Sequence, residues 1–107
     1  MKELTKIEEI LLISIWKLKE NAYGVKIRQY INQYLGRDLS YGNLYSILDQ
    51  LVKKGYVSKT VGDSSPKRRG RSRIYYSLQP EGSQALKSAQ ELKDTLWDGI
   101  SKYAFDN

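Results

Sequence analysis

The sequence predicts a mainly α-helical fold with one small β-hairpin. Three amphipathic helical segments come first, two short β-rich runs follow, and a fourth helical segment comes last. The β-rich runs are separated by eleven turn-forming and basic residues, too many for a tight hairpin turn. This order of elements is that of a winged helix-turn-helix with an added C-terminal helix. A chain of 107 residues is long enough for one domain with its own core.

The first helix is predicted over residues 5–20 and the second over residues 24–35. Thr5 and Glu8 have the spacing of a capping box, which marks a helix N-terminus. Apolar residues then recur at helical spacing, at Ile7, Ile10, Leu11, Ile15 and Leu18. Gly36 ends the second helical pattern, because glycine readily adopts the left-handed conformation found after a helix.

A third helix and a β-hairpin are predicted to follow. Ser40 is a favourable N-cap, and the apolar stripe behind it runs to a stop at Gly55. Residues 57–61 and 73–78 are the two β-rich runs. The second and third helices would form the helix-turn-helix, and the basic loop between the strands would be the wing.

Pro80 is a favourable first residue for the fourth helix, which is predicted to extend to about Ala104. A helix of that length spans roughly 35 Å, more than a compact winged domain needs for its own core. Its length and terminal position favour a dimer seam, although the apolar stripe could instead pack on its own domain. The predicted seam residues are Leu86, Ala89, Leu92, Leu96 and Ile100. We therefore divide the chain into a winged helix-turn-helix domain, residues 1–79, and a dimerisation helix, residues 80–107.

Positive charge is concentrated on the hairpin and its approach. The segment from Lys53 to Arg73 contains eight basic residues and one acid, a charge of +7, whereas the whole chain carries +6. A basic patch on a nearly neutral body is the electrostatic footprint of a polyanion binder, although a solvated charge run is the alternative. Pro66 and Gly70 bracket three consecutive cations, and arginine suits a narrow minor groove. The candidate DNA contacts in the wing are Lys67, Arg68, Arg69, Arg71 and Arg73.

The third helix would be the recognition helix, because an α-helix fits the major groove of B-DNA and its N-terminal residues reach the base edges. An Asn can pair with adenine, and a hydroxyl can bond a phosphate. The candidate DNA contacts here are Ser40, Tyr41, Asn43, Tyr45 and Ser46. Each of them could also be an ordinary solvated side chain. A nearly neutral helix beside a strongly basic wing suggests that the wing supplies affinity and the helix supplies selection.

The chain has no cysteine and no histidine. Disulfides, thiolate metal sites and Cys nucleophiles are thereby excluded, and the usual general bases and most zinc ligands are missing. No pair of carboxylates lies in a convincing apolar setting, so we interpret the chain as a binding protein rather than an enzyme, without cofactor or metal. No apolar segment reaches the roughly 18 residues of a membrane span, and no secretory signal is visible. We expect a cytoplasmic protein without membrane contact.

Three motifs follow one another along the chain. They are Tyr23-Gly24, then Gly42-Asn43-Leu44-Tyr45-Ser46-Ile47-Leu48 with Leu51 and Gly55-Tyr56-Val57, then Gly70-Arg71-x-Arg73-x-Tyr75-Tyr76-x-Leu78-x-x-x-Gly82. Taken together, residues 7–82 resemble the PadR family of winged-helix transcriptional regulators. Two departures stand out, since Ser46 replaces the family's usual Pro and Gln79-Pro80 replaces a Thr-containing pair.

The resemblance implies a homodimer that represses genes at palindromic operators on double-stranded DNA. The protomers would be joined through the C-terminal helix with help from the first helix, as in the smaller members with a single short C-terminal helix. The resemblance also adds Tyr23 to the candidate DNA contacts. Many members are released by a small aromatic or cationic ligand, which makes such a ligand an implied partner.

Trp16 and Trp97 lie on the first and fourth helices. In some small PadR-like regulators aromatic residues at the dimer seam stack on flat ligands, so both are candidate effector-binding residues. Burial in the core is the alternative and the commoner fate of a Trp near an apolar stripe. Two other functions stay open for the whole chain. One is a sequence-nonspecific nucleic-acid binder that uses the wing for phosphates alone, and the other is an interaction module that holds an acidic protein partner.

Overall fold

A computed structural model describes residues 3–36, 38–62 and 73–100 of the chain. The helices are α1 (Lys6–Leu18), α2 (Gly24–Leu35), α3 (Tyr41–Lys53) and α4 (Pro80–Trp97), with a short 3₁₀ turn at Lys19–Asn21. The strands are β1 (Val57–Val61) and β2 (Ile74–Leu78). The order of elements confirms the predicted mainly α-helical fold with one hairpin.

The capping box at the start of α1 is present. The Glu8 N–H donates to Thr5 Oγ1 at 3.2 Å, and the Thr5 N–H donates to Glu8 Oε1 at 2.9 Å. The helix ends at Leu18, two residues earlier than predicted, because Lys19 has a φ of 54° that no α-helical residue adopts. The chain then turns so that the Ala22 carbonyl accepts a hydrogen bond from the Tyr76 N–H at 2.8 Å.

The two strands form an antiparallel sheet in which Val57 lies opposite Leu78 and Val61 lies opposite Ile74. An isolated bridge between Tyr23 and Tyr75 adds the connector before α2 to the edge of this sheet. The second strand begins at Ile74, so the prediction that it begins at residue 73 was wrong by one residue. The hairpin is therefore joined to the helix-turn-helix through backbone hydrogen bonds and not through side chains alone.

The core is built from apolar side chains of α1, α2, α3 and the hairpin. The following are at most 2% exposed: Leu11, Leu12, Ile15, Ile27, Ile31, Leu44, Leu48, Leu51, Val57 and Tyr76. Full burial of one such side chain contributes about 1.5–3 kcal/mol to the stability of the fold. Burial of this cluster is therefore the main interaction that holds α3 against α1 and α2.

The first turns of α4 pack on the hairpin. The Gln79 N–H donates to the Tyr56 carbonyl at 2.9 Å, and a Cβ atom on Gly82 would collide with that carbonyl. Only glycine therefore lets α4 begin at this angle. One turn later, Ala85 is 5% exposed.

The fourth helix ends at Trp97, and the prediction that it extends to about Ala104 was wrong. Asp98 leaves the helical conformation, and Gly99 has a φ of 79°. The apolar periodicity of the sequence therefore extends beyond the residue at which the helix ends. Eighteen residues give a helix of about 27 Å, and Ile100 lies beyond it. Among residues 3–36, 38–62 and 73–100, no helix combines the length and the apolar character needed to cross a bilayer.

Candidate nucleic-acid interface

The third helix has a buried side and an exposed side. Leu44, Leu48 and Leu51 are fully buried, and they form a single stripe because successive residues are about 100° apart around a helix. Ser46 and Asp49 are exposed on the opposite side. This exposed side of α3 is the one that could insert into a groove of DNA.

The start of α3 is capped as predicted. Ser40 Oγ accepts a hydrogen bond from the Asn43 N–H at 3.2 Å. The hydroxyl of Ser40 can still donate a hydrogen bond outward, since an oxygen that accepts one bond keeps its own O–H. A phosphate contact by Ser40 stays a prediction.

Asn43 and Ser46 are both exposed, as a role in base recognition requires. They border a groove of about 390 Å³ whose other walls come from α1, the end of α2 and the α2–α3 turn. Around the helix axis, Asn43 is about 100° from the buried Leu44, whereas Ser46 is about 160° from it. Asn43 therefore lies on a flank of α3. Ser46 therefore projects more directly outward than Asn43.

Four tyrosines, which we call the tyrosine band, line the other flank of α3 and the base of the wing: Tyr23, Tyr41, Tyr45 and Tyr75. The rings of Tyr41 and Tyr45 are stacked with centroids 6.2 Å apart, and those of Tyr23 and Tyr75 meet edge to face at 5.6 Å. Gly24, next to Tyr23, lets the Tyr45 ring pack against the start of α2, because a Cβ atom at this position would collide with the Tyr45 hydroxyl. Tyrosine hydroxyls along such a band can donate to phosphate oxygens.

Two arginines lie on the tyrosine band. The guanidinium carbon of Arg73 is 4.2 Å from the centre of the Tyr23 ring, and that of Arg28 is 4.5 Å from the centre of the Tyr41 ring. Stacking of this kind holds a guanidinium in place without neutralising its charge. Arg73 thus reaches the start of α2 from the base of the wing.

Arg28 was missed by the sequence analysis. Its Nε donates to the Leu39 carbonyl at 2.6 Å, and its Nη2 lies 2.8 Å from Asp38 Oδ1. The sequence does contain a signal, because Arg28 is one helical turn after Gly24 and the following interhelical turn contains an acid. An arginine of α2 that faces this turn can bond the backbone that enters α3.

The centre of the wing lies outside the described residues. The predicted contacts Lys67, Arg68, Arg69 and Arg71 belong to that segment. At its two borders, the Gly62 N–H donates to the Arg73 carbonyl at 2.7 Å. Of the two lysines at the end of α3, Lys54 is paired with Glu8 and adds less to the basic patch than its formal charge suggests.

The predicted seam residues on α4 have different environments. Leu86 packs partly on the core of its own chain, and Ala89 is half-buried. Leu92 is 40% exposed and Leu96 is 63% exposed. With Leu4 and Ala85 they border an apolar groove of about 490 Å³ between α1 and α4.

Charged side chains also line this groove, and two of them form an ion pair. Lys93 of α4 forms an ion pair with Glu9 of α1, whose side chain is 11% exposed. The first helix and the fourth are therefore linked by an ion pair beside the apolar groove. Neither tryptophan is in the core, since Trp16 is 58% exposed and Trp97 is 55% exposed, and the core alternative for both was wrong.

The carboxyl group of Glu8 has an unusual environment. Burial by itself would raise its pKa, but the hydrogen bonds from the Lys54 ammonium and the Thr5 N–H outweigh this effect and hold the pKa below its usual value. Burial also raises the pKa of Tyr76, and the nearby Asp49 carboxylate adds to the increase. In the part of the chain that the structure describes, no group of three or more acidic side chains could hold a metal ion.

Residues 12–88 match the family model described as the transcriptional regulator PadR-like family. Among curated proteins, no relative matches the chain.

Three solved structures show the same fold. RosR of H. salinarum is 27% identical, with a TM-score of 0.71 over 94% of this chain and 83% of that one. A Streptococcus transcriptional regulator is 26% identical, with a TM-score of 0.70 over 94% and 92% of the two chains. A PadR family transcription regulator from Clostridium difficile is 28% identical, with a TM-score of 0.60 over 92% and 95%.

Proposed function

The chain belongs to the PadR-like family of DNA-binding transcriptional regulators, and we propose that it acts as a homodimeric, sequence-specific repressor that a small ligand releases from DNA. The observation that carries the proposal is the exposed side of α3 together with the tyrosine band and its two stacked arginines. In this proposal α3 lies in the major groove, with Asn43 and Ser46 at the base edges.

The phosphates on either side would be held by different groups. Tyr23, Tyr41 and Tyr45 offer hydroxyls beside α3, and Ser40 offers one at its start. Arg73 supplies a guanidinium at the base of the wing, stacked on Tyr23. The remaining wing cations, Lys67, Arg68, Arg69 and Arg71, would follow the adjacent minor groove, where arginine is favoured when the groove is narrow.

Dimerisation is proposed through α4. Leu92 and Leu96 leave apolar surface exposed on the outer half of the helix, next to the groove shared with α1. A second copy related by a two-fold axis would cover both leucines with their own counterparts. Under this proposal residues 1–79 form the DNA-binding domain and residues 80–107 the dimerisation segment.

Ligand release is proposed through the exposed tryptophans. Trp16 and Trp97 lie on the two helices that form the apolar groove, and both residues are more than half exposed. A flat aromatic or cationic molecule that stacks on an indole would alter the packing of α4 on α1. The distance between the two recognition helices of a dimer would change with it.

Selection of binding sites from random duplexes tests the proposal directly. We expect the protein to enrich a palindrome whose half-sites are about one DNA turn apart. Enrichment of no sequence, with strong salt-dependent binding to every duplex, would favour the nonspecific binder instead. Weak binding to all duplexes would favour the protein-interaction module.

A further inference from the structure

We propose that Arg28, with help from Asn32, is a positioning residue that sets where the recognition helix begins. The inference rests on the proposed function, because it assigns to this pair the alignment of α3 with the base edges. Arg28 would act through the backbone of the α2–α3 turn and through Tyr41, without touching DNA itself.

Both backbone polar groups of Leu39 are held by side chains of α2. The Leu39 carbonyl accepts a hydrogen bond from Arg28 Nε at 2.6 Å, and its N–H donates to Asn32 Oδ1 at 3.0 Å. Arg28 and Asn32 are four residues apart, so they lie on the same side of α2, one turn above the other. Leu39 is the residue immediately before Ser40, the N-cap of α3.

The guanidinium of Arg28 also contacts the residue on the other side of that cap. Its guanidinium carbon lies over the ring of Tyr41, the first residue of α3, at 4.5 Å from the ring centre. One side chain thus holds the residues on either side of Ser40, which limits both the position and the direction of the first helical turn. The N-terminal residues of a recognition helix are those that reach base edges, so a shift here would misplace Asn43 and Ser46 together.

The ion pair with Asp38 is the least important of these contacts. The Asp38 side chain is 89% exposed, whereas that of Arg28 is 27% exposed. Exposed pairs of this kind contribute little, because water screens the attraction. The backbone hydrogen bond and the ring contact carry the positioning, and both need a planar guanidinium with several fixed donors.

Two substitutions at this position separate positioning from charge. Arg28→Lys keeps the positive charge but cannot cover the Tyr41 ring and bond the Leu39 carbonyl in the same geometry. Arg28→Gln removes the charge as well. Lys26→Gln is the matched control, since Lys26 is exposed on the same helix and its substitution removes the same charge as Arg28→Gln.

The first measurement compares binding to the duplex selected by the wild type with binding to a scrambled duplex of equal composition. The variants are compared at a temperature where circular dichroism shows all of them folded. We expect both Arg28 variants to lower the specific-to-nonspecific affinity ratio about tenfold, with scrambled-duplex affinity nearly retained in Arg28→Lys. Lys26→Gln should leave the ratio unchanged. Wild-type behaviour of Arg28→Lys would show that the planar guanidinium is not needed, which would overturn the inference.

The second measurement needs no DNA. Hydrogen exchange of the Asn43 and Leu44 amides reports on the first turn of α3, because both donate to Ser40. We expect about tenfold faster exchange at these two amides in both Arg28 variants and no change in Lys26→Gln. Unchanged exchange in the Arg28 variants would refute positioning even if the protein binds DNA specifically. If the wild type selects no duplex at all, the proposed function fails, and the positioning of α3 is decided by exchange alone.

Discussion

The carboxylate of Glu8 connects the start of α1 to the end of α3 by accepting hydrogen bonds from the Thr5 N–H and the Lys54 ammonium. Glu8 is only 4% exposed, so both of its oxygens have found partners inside the protein. Its position in the sequence indicates a capping residue, and the structure adds a contact with a residue 46 positions away.

The Glu8–Lys54 ion pair makes the stability of the fold depend on pH. Because the pKa of Glu8 is lowered from 4.5 in the folded protein, the pair stabilises fully above that value and less as pH falls through the folded pKa. Glu8→Gln should lower the free energy of unfolding at pH 7 by about 1–2 kcal/mol and reduce its decline in acid. Urea unfolding at pH 7 and below pH 4.5 measures both effects. Glu20→Gln, at an exposed position, is the control and should change neither.

Two glycines give opposite expectations for the same substitution. Gly24→Ala would press a methyl group against Tyr45 and should destabilise the fold by about 1–3 kcal/mol. Gly42→Ala has open space at the exposed side of α3 and should stabilise it by up to about 1 kcal/mol. Thermal unfolding of the two variants should therefore shift in opposite directions. A stabilised Gly24→Ala would show that Tyr45 moves aside freely.

The wing should supply affinity irrespective of sequence. Replacing Lys67, Arg68 and Arg69 together by Ala should weaken binding to selected and scrambled duplexes alike. Each lost phosphate contact should flatten the log–log dependence of affinity on salt by about 0.9. Fluorescence anisotropy over a range of salt concentrations measures the slope. An unchanged slope would remove the wing from the interface, and Lys87→Ala on α4 is the charge control.

Asn43 should supply selection. Asn43→Ala is expected to relax the preference at one base pair of each half-site by about 1–3 kcal/mol and to leave nonspecific affinity nearly unchanged. Competition among duplexes that carry single base-pair changes locates the affected position. An equal loss for all duplexes would show that Asn43 holds the helix or a phosphate and does not select a base.

Leu96 should be required for assembly. In Leu96→Asp a dimer seam would contain two unpaired carboxylates, at a cost of several kcal/mol. The variant should be a folded monomer, because Leu96 is 63% exposed within one chain and contributes little to its core. Paired recognition helices about 34 Å apart would be lost, so specific affinity should fall further than nonspecific affinity. Sedimentation beside wild type and Thr95→Asp decides the matter. A monomeric wild type or a dimeric Leu96→Asp would contradict a seam at α4.

Local patterns in the sequence were sufficient for the elements and their order. The capping box at Thr5, the N-cap at Ser40 and the break at Gly36 act through neighbours within four residues, and all three are present. The same kind of local pattern predicted too long an α4. Apolar residues recur at helical spacing to Ile100 and beyond, but the backbone turns at Gly99. Periodicity describes which residues would face a partner if a helix persisted, and it does not determine where the helix ends.

The contacts between distant residues could be established only from the three-dimensional structure. Arg28 bonds Leu39 and covers Tyr41 only because α2 and α3 pack at one angle, which their buried leucines and isoleucines determine together. The exposure of Trp16 depends likewise on which side of α1 the other helices cover. Amphipathic spacing indicates that a side chain will be buried or exposed, but its partner is selected by the packing of all elements at once. Local sequence patterns were thus enough to predict a winged helix-turn-helix with a basic segment between its strands, whereas the packing of α2 on α3 determined the contacts at the start of α3.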